Sequence, residues 1–278
     1  MKGISRRTLL GAGGVAAVGA GAVVAGESER GRRWLHAVGV VKGPDLRPPG
    51  IDVTVEQREL SSRHMGRRVA WAVAPPAASP RAAVVCLHGR YASHEFAFDA
   101  IGVHRFVAGA ELPWAVASVD GGESSYWHRR TDGTDAQAML LDELLPALRA
   151  EVGDVPVVLL GWSMGGYGAL LAASERPRDV AAVAAASPAT WRSFAASSKG
   201  AFDSADDFAD NDLFTRDGVL RTLPVRIDCG RDDPFAPNAR SLAAAVAAER
   251  DFGDGFHDEA YWRSRVPSQL AFFRSILD

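Results

Sequence analysis

A glycine-rich run around Ser163 carries the clearest chemical signal in this sequence. Residues 161–170 read Gly-Trp-Ser-Met-Gly-Gly-Tyr-Gly-Ala-Leu, which places a serine in a G-x-S-x-G pattern. An apolar run, 155–160, precedes the pattern and a small-residue segment, 167–173, follows it. This order predicts a strand, a tight turn with the serine at its apex, and then a helix whose positive end lies at the hydroxyl. We therefore interpret Ser163 as a candidate nucleophile, against the alternative of a glycine-rich connection with an incidental serine.

A serine hydroxyl needs a base to take its proton and an acid to orient that base. In folds with a strand-serine-helix turn, the acid and then the histidine come later in the chain. Asp233 follows an apolar run, and His257 is the only histidine downstream of Ser163. Asp232 and Asp228 are rivals for the acid, of which Asp233 is favoured because Pro234 would rigidify its loop. Taken singly, Asp233 could equally be a turn former and His257 a surface residue, but their joint order predicts a catalytic triad.

Acyl chemistry also needs N–H donors directed at a developing oxyanion. The backbone N–H of Met164, directly after the candidate nucleophile, is one expected donor. The other is expected in the loop 87–91, where Gly89 permits a sharp turn and the N–H of Arg90 is the candidate. We interpret His88 as a structural hydrogen-bonding residue. The remaining histidines lack metal-ligand spacing, and no metal or cofactor is expected.

Aromatic residues supply candidates for a substrate pocket. Tyr126 and Trp127 follow a predicted strand and could either line an acyl or alcohol pocket or anchor the packing. Trp162, next to the candidate nucleophile, is a third possible pocket residue. Segment 190–223 alternates aspartates with phenylalanines. Its spacing does not match a calcium loop, so we expect a solvated helix-and-turn excursion that could border the substrate entrance.

The elements that must hold these residues alternate along the chain. An antiparallel start is predicted, with strands at 51–56 and 68–74 joined by a hairpin. Further strands are predicted at 82–87, 114–119, 155–160, 180–186 and 224–229, and they alternate with helices at 96–108, 236–250 and 261–277. Another helix is predicted to begin at Thr134 as N-cap and to include Leu148, with a kink at Pro146. This pattern predicts an α/β fold with a mostly parallel, doubly wound sheet, an antiparallel N-terminal hairpin and helices on both faces.

The motifs together resemble the esterase D branch of the α/β-hydrolases, a branch that also contains mycolyltransferases. The resemblance rests on Leu-His-Gly at 87–89, the ten residues from 161 to 170, Asp-Pro-Phe at 233–235 and the loop at His257. It extends from about residue 50 to the C-terminus and implies ester hydrolysis or acyl transfer without a cofactor. It also implies the triad and oxyanion donors named above. The sequence departs from the family pattern at Arg90, charged where an apolar residue is common, which suggests acidic or polar acyl groups.

Composition limits the remaining function classes. The chain has 278 residues with 47% hydrophobic and 23% charged residues and a net charge of −3. No Lys/Arg-rich run is present, so a nucleic-acid partner is not expected. Cys86 and Cys229 lie in different apolar runs and are expected to be free, buried thiols rather than a disulfide.

The N-terminus resembles an export signal. Ser-Arg-Arg-Thr-Leu-Leu at 5–10 precedes an uncharged, glycine-rich stretch, as in twin-arginine signals. We predict a signal at 1–25 with cleavage near Ala22 or Ala25, the alternative being an uncleaved anchor. Cleavage removes three positive and no negative charges, which takes the net charge from −3 to −6. The predicted organisation is then a flexible leader at 26–50 and one catalytic domain at 51–278, secreted or in the cell envelope, without a stable membrane span.

The sequence leaves three functions to be compared. The first is an exported serine carboxylesterase that hydrolyses a small-molecule ester or acyl lipid through an acyl-enzyme. The second is an acyltransferase of the mycolyltransferase type that acts on a sugar or glycolipid. The third is an inactive hydrolase scaffold that serves as a cell-envelope binding protein. The complete triad favours an enzyme, because a binding scaffold has no physical need for all three groups.

Overall fold

The computed structural model describes residues 28–278. The predicted signal at 1–25 lies outside this part of the chain. The strands are, in chain order, β1 Glu56–Ser62, β2 Arg67–Ala74, β3 Ala82–Leu87, β4 Trp114–Val119, β5 Val157–Trp162, β6 Ala182–Ala186, β7 Val225–Asp228 and β8 Glu249–Asp251. The α-helices are α1 Glu29–Ala37, α2 Val103–Gly109, α3 (Ala136–Met139, the π-helical Leu140–Leu144 and Leu145–Val152), α4 Met164–Glu175, α5 Ala205–Asp210, α6 Asp217–Leu220, α7 Ala236–Ala245 and α8 Glu259–Leu277. Shorter turns are the π-helical Ala97–Ile101 and the 3₁₀ segments Phe194–Ala196 and Leu213–Thr215.

The described strands form one eight-stranded sheet in the order β1-β2-β4-β3-β5-β6-β7-β8. β1, β2 and β4 pair antiparallel, and every pairing from β4 to β8 is parallel. The predicted fold class is therefore confirmed. Parallel strands bring their carboxyl ends to the same edge of the sheet, so the loops after β3, β5, β7 and β8 meet there.

Helices cover both faces of the sheet and bury two apolar layers. One layer is contributed mainly by α3, α4 and α7, and the other by α2 and α8. β3, β4, β5 and β6 are buried along their whole length. Burial on both faces explains why these strands have continuous apolar runs rather than alternating patterns.

The first strand lies later in the chain than predicted. The expected strand at 51–56 is wrong, because β1 begins only at Glu56, which pairs with Val73. The short hairpin connection fixes the register, and Pro75 and Pro76 end β2 just beyond that pair. Proline has no N–H to donate, so residues 51–55 have no ladder to join.

Several helix boundaries also differ from the prediction. The helix expected at 96–108 is divided at Gly102, whose φ of +77° is left-handed. Asp135, not Thr134, caps α3, since its side chain accepts from the N–H of Ala138. Pro146 follows the π-helical segment of α3, as expected where a proline lacks the regular helical donor.

Two elements were missed. The helix expected at 236–250 ends at Ala245, and a three-residue edge strand, β8, follows it. Its sequence is Glu-Arg-Asp, which has no apolar pattern to indicate a strand. The leader, expected to lack regular structure, contains α1, and its Leu35 is buried.

Candidate active site

Ser163 occupies a strained turn between β5 and α4. Its backbone φ of 54° and ψ of −115° lie in a region that residues other than glycine rarely adopt. The turn is fixed because the Ser163 N–H donates to the carbonyl of Ala186 at 3.0 Å. A Cβ added to Gly161 would lie 2.1 Å from the carbonyl oxygen of Gly165, and one on Gly165 would lie 1.9 Å from that of Leu87. Glycine at these two positions therefore allows the helix to approach the sheet closely enough to form the turn.

The structure brings Ser163, His257 and Asp233 together. The Nε2 atom of His257 lies 2.9 Å from the Ser163 hydroxyl oxygen, and its Nδ1 atom lies 2.8 Å from Oδ2 of Asp233. The other carboxylate oxygen of Asp233 accepts from the N–H of Phe235 at 2.8 Å. Because a carboxylate only accepts, Nδ1 carries the proton, and Nε2 is left free to accept from the hydroxyl. This is the arrangement of nucleophile, base and orienting acid that acyl chemistry requires.

The two rival acids make other contacts. Asp232 is buried and pairs with the Nε atom of Arg32 at 2.8 Å. Asp228 is buried in β7, where it pairs with Arg226 at 2.9 Å and accepts from Gln269. Burial raises the pKa of Asp228, and the adjacent Arg226 opposes that rise.

Aromatic side chains enclose the imidazole of His257. The Phe235 ring lies 5.2 Å away and the Trp262 ring 5.1 Å away, the latter nearly perpendicular. Trp262 is held in turn by donation from its Nε1 atom to the hydroxyl of Ser187 at 3.0 Å. These contacts limit imidazole rotation. Sequence reasoning did not find Trp262, although a tryptophan five residues after His257 in the first turn of α8 offered a signal.

The loop after β3 lies against the serine. A Cβ on Gly89 would be 3.5 Å from the Cβ of Ser163, so the backbone of this loop borders the nucleophile. The N–H of Arg90 has no hydrogen-bond acceptor among the described residues, and Met164 is the first residue of α4, so its N–H has none within the helix. His88 is buried and accepts from the N–H of Gly121 at 3.0 Å, which fits the structural role expected for it. Burial lowers its pKa, in keeping with a neutral ring.

The three aromatic residues proposed for a pocket do not line the cleft. Tyr126, Trp127 and Trp162 are 3%, 0% and 0% exposed. Trp127 packs beneath α4, where a Cβ on Gly168 would meet it at 2.4 Å, and its Nε1 atom donates to the carbonyl of His88. Their large apolar surfaces are buried in the core, so these residues are packing anchors.

A cleft of about 600 Å³ opens at Ser163 and His257. Its aromatic members are Tyr91, Phe96 and Trp262, and its charged members are Arg90, Glu95, Asp99 and Glu259. Arg90 donates to the hydroxyl of Ser124 and the carbonyl of Lys199 and covers the Tyr91 ring. Among these charges only Arg90 lies in a recognisable motif, because the three carboxylates come from segments that share none.

Segment 190–223 forms turns and short helices anchored by phenylalanines. Phe202 and Phe208 are buried, and the Phe202 ring packs against both Tyr167 and Phe208, as expected for aromatic anchors. The carbonyl of Lys199 accepts from the Arg90 side chain, so this segment borders the loop after β3. Within residues 28–278, no three or more His, Cys, Asp or Glu side chains are grouped so that they could hold a metal ion.

Neither cysteine is a competing nucleophile. Cys86 and Cys229 are free and buried, as predicted. Burial raises the pKa of both thiols far above neutrality. Both cysteines therefore remain protonated and unreactive.

The sheet order, the serine at the strand-helix turn and the later Asp and His loops define an α/β-hydrolase. The family described as "Putative esterase" matches residues 62–273, and the chain belongs to this family. It is accordingly a hydrolase of the esterase class. Among curated proteins, no sequence matches this chain. In the described part of the chain, no helix combines the length and apolar character that crossing a membrane requires.

Solved structures share the fold at low sequence identity. A ferulic acid esterase is 20% identical with a TM-score of 0.70, over 81% of this chain and 100% of that one. MPT51 (FbpC1) of Mycobacterium tuberculosis is 17% identical with a TM-score of 0.68, over 82% and 100%. FphF, a fluorophosphonate-binding serine hydrolase of Staphylococcus aureus, is 16% identical with a TM-score of 0.67, over 82% and 100%.

Proposed function

We propose that this protein is a serine carboxylesterase that works through an acyl-enzyme. The observation that carries the proposal is the hydrogen-bonded series from Ser163 through His257 to Asp233, with distances of 2.9 and 2.8 Å. The serine side chain lies in a cleft open to a substrate, whereas the aspartate is buried. A nucleophile, a correctly oriented base and a buried orienting acid are the groups that acyl transfer from an ester needs besides donors to the oxyanion.

The proposed reaction has two halves. His257 takes the Ser163 proton as the oxygen attacks the ester carbonyl, and then returns a proton to the leaving alcohol. The acyl group remains on Ser163 until water, deprotonated by His257, attacks its carbonyl. The bond to the Ser163 oxygen then breaks, His257 returns the proton to that oxygen, and the acid is freed. Asp233 keeps the proton on Nδ1 and stabilises the imidazolium in both halves. The N–H groups of Arg90 and Met164 are the proposed donors to the oxyanion.

The charges of the cleft suggest which esters it accepts. Glu95, Asp99 and Glu259 border it, and only Arg90 carries an opposing charge among the lining residues. Arg263 lies 3.7 Å from Glu259 and offsets part of that charge. We therefore propose neutral or cationic esters as substrates, in contrast to the acidic acyl groups suggested by Arg90 alone.

Hydrolysis and acyl transfer share every step up to the acyl-enzyme. The cleft is open, so water reaches the acyl-serine and hydrolysis is the favoured outcome. Product analysis with and without a sugar acceptor separates the two reactions. Export by a twin-arginine-type signal at residues 1–25, to the cell envelope or medium, stays part of the proposal. It is tested by N-terminal sequencing of the secreted protein and by Arg6→Lys/Arg7→Lys variants.

Replacement of Ser163 by alanine tests the nucleophile. The variant is expected to lose about 10⁴-fold or more of kcat on short-chain p-nitrophenyl esters and all labelling by a fluorophosphonate probe. Ser93→Ala is a matched control, because Ser93 lines the same cleft and its hydroxyl accepts from the N–H of Glu95. A Ser163→Ala protein that still turns over ester, or a parent protein that resists the probe, would reject the assignment. The second of these results would favour an inactive binding scaffold.

A further inference from the structure

Helix α1 contacts both loops that carry the acid and the base of the triad. Arg32 donates from Nε to Oδ2 of Asp232, the residue before Asp233, at 2.8 Å. One turn further along α1, the Nε2 atom of His36 lies 2.6 Å from Oδ2 of Asp258, the residue after His257. The composition of this segment predicted a leader without regular structure, so these contacts were not foreseen.

The contact at Asp232 neutralises a buried charge. The Asp232 side chain is 1% exposed, and Arg32 is its ion-pair partner among the described residues. A buried carboxylate without a partner is costly, because its loss of hydration is not compensated. Without Arg32, Asp232 would lose this partner, which favours a shift of the Asp233 loop towards water.

His36, which lies against Asp258, also contacts the residue on the other side of His257. The ring of His36 stacks on Phe256 with centroids 3.9 Å apart and an interplanar angle of 3°. Its Nδ1 atom lies 2.9 Å from the carbonyl oxygen of Val41, so both ring nitrogens face acceptors and both contacts are hydrogen bonds when the two nitrogens are protonated. Asp258 also caps α8 by accepting from the N–H of Tyr261. His36 thus holds both residues that flank His257.

The two triad loops are joined to each other by their backbones. The N–H of Arg231 donates to the carbonyl of Gly253 at 2.8 Å, and that of Asp232 donates to Gly255 at 3.0 Å. A Cβ on Gly230 would meet the backbone of Gly255 at 2.4 Å, so the loops lie in direct contact. A shift of either loop consequently changes the distance between Asp233 and His257.

We propose that Arg32 and His36 are positioning residues for the reaction, which hold the Asp233 and His257 loops at the separation that the triad needs. This inference rests on the proposed function. Neither residue lines the cleft at Ser163, so substrate binding should not depend on them. Loss of their contacts is expected to lower kcat with little effect on KM, since misplacement of about 1 Å costs up to about 100-fold in rate.

The test compares variants of the full chain. Arg32→Ala removes the ion pair, Arg32→Lys keeps the charge, and His36→Phe keeps the stacked ring but loses the contact with Asp258. Arg33→Ala is the matched control, because Arg33 lies on the same helix and, among residues 28–278, its ion-pair partner is Glu29 at 4.0 Å. Arg32→Ala and His36→Phe should each lose at least about 10-fold in kcat with KM changed less than about threefold, while Arg32→Lys recovers most of the activity.

Amide hydrogen exchange supplies a readout that does not need turnover. The N–H groups of Arg231 and Asp232 should exchange about 10-fold faster in Arg32→Ala and unchanged in Arg33→Ala, with the amides of β5 unaffected in both. The proposal would be overturned if the Arg231 and Asp232 amides of Arg32→Ala exchanged at the parent rate. It would also be overturned if kcat stayed within about twofold of the parent in both Arg32→Ala and His36→Phe. A parent chain without esterase activity would reject the proposed function instead, while exchange would still report whether α1 holds the two loops.

Discussion

Replacement of Asp233 by asparagine should disable the reaction while leaving the fold intact. The substitution conserves shape, and the side chain stays fully buried. The N–H of Phe235 donates to Oδ1 and needs an acceptor there, so the asparagine oxygen will occupy that position. The amide NH₂ then faces Nδ1 of His257, where Oδ2 now lies at 2.8 Å. Because an NH₂ group only donates, the imidazole must carry its proton on Nε2, and it can no longer accept the proton of Ser163.

The magnitude follows from this tautomer change. A wrong tautomer with intact geometry lowers kcat by about 10⁴-fold, which corresponds to about 5.5 kcal/mol at about 1.36 kcal/mol per decade. Steady-state hydrolysis of a p-nitrophenyl ester measures kcat, and thermal unfolding checks that the variant is folded. Asp254→Asn is the control, since Asp254 belongs to the His257 loop but is exposed and pairs with Arg231. A folded Asp233→Asn protein with more than about one tenth of the parent kcat would show that the reasoning is wrong.

Three further predictions concern stability and selectivity. Gly165→Ala should prevent folding or lower the free energy of unfolding by several kcal/mol, because its Cβ would lie 1.9 Å from the carbonyl oxygen of Leu87. Gly218→Ala, where a Cβ meets no atom within 4 Å, should have the same free energy of unfolding as the parent. Burial lowers the pKa of His104 to about 4, so the unfolded chain binds the proton first as the pH falls. Below about pH 6.5, preferential protonation of His104 in the unfolded chain lowers the free energy of unfolding by up to ~1.4 kcal/mol per pH unit. Urea unfolding of His104→Leu should show a flatter pH dependence between pH 7 and 5; parallel profiles would contradict it. Finally, Glu95→Gln should reduce the preference for cationic over anionic esters of matched size, measured as kcat/KM at low salt, and an unchanged ratio would contradict the electrostatic proposal.

Much of the fold followed from patterns that are local in the chain. The continuous apolar runs of β3, β4 and β5 predict buried parallel strands, and the structure confirms them. The predictions were wrong where pairing with a strand distant in sequence decides whether a segment forms a strand. β8 is a strand only because β7 offers a free edge, and residues 51–55 are not one because β2 ends first.

The candidate site shows the same division. Ser163 is marked by its own neighbours, since the turn needs glycines within a few residues of it. The choice among Asp228, Asp232 and Asp233 is not local, because it depends on which carboxylate faces His257 and which face Arg226 and Arg32. Similarly, Trp127 and Trp162 were candidates for a pocket because sequence does not show whether an aromatic ring points into a cleft or into the core.

The sequence by itself determined the order of β2 to β7 and of the main helices between them, the strained serine turn and the presence of an acid and a histidine in the right order. These features depend on periodicity, glycine placement and chain order, which are properties of short segments. Only the tertiary structure decided the 2.8 Å contact between Asp233 and His257, the charge of the cleft and the contacts of α1 with both triad loops. Those depend on the packing of residues up to 200 positions apart, and no local pattern specifies how two such segments meet.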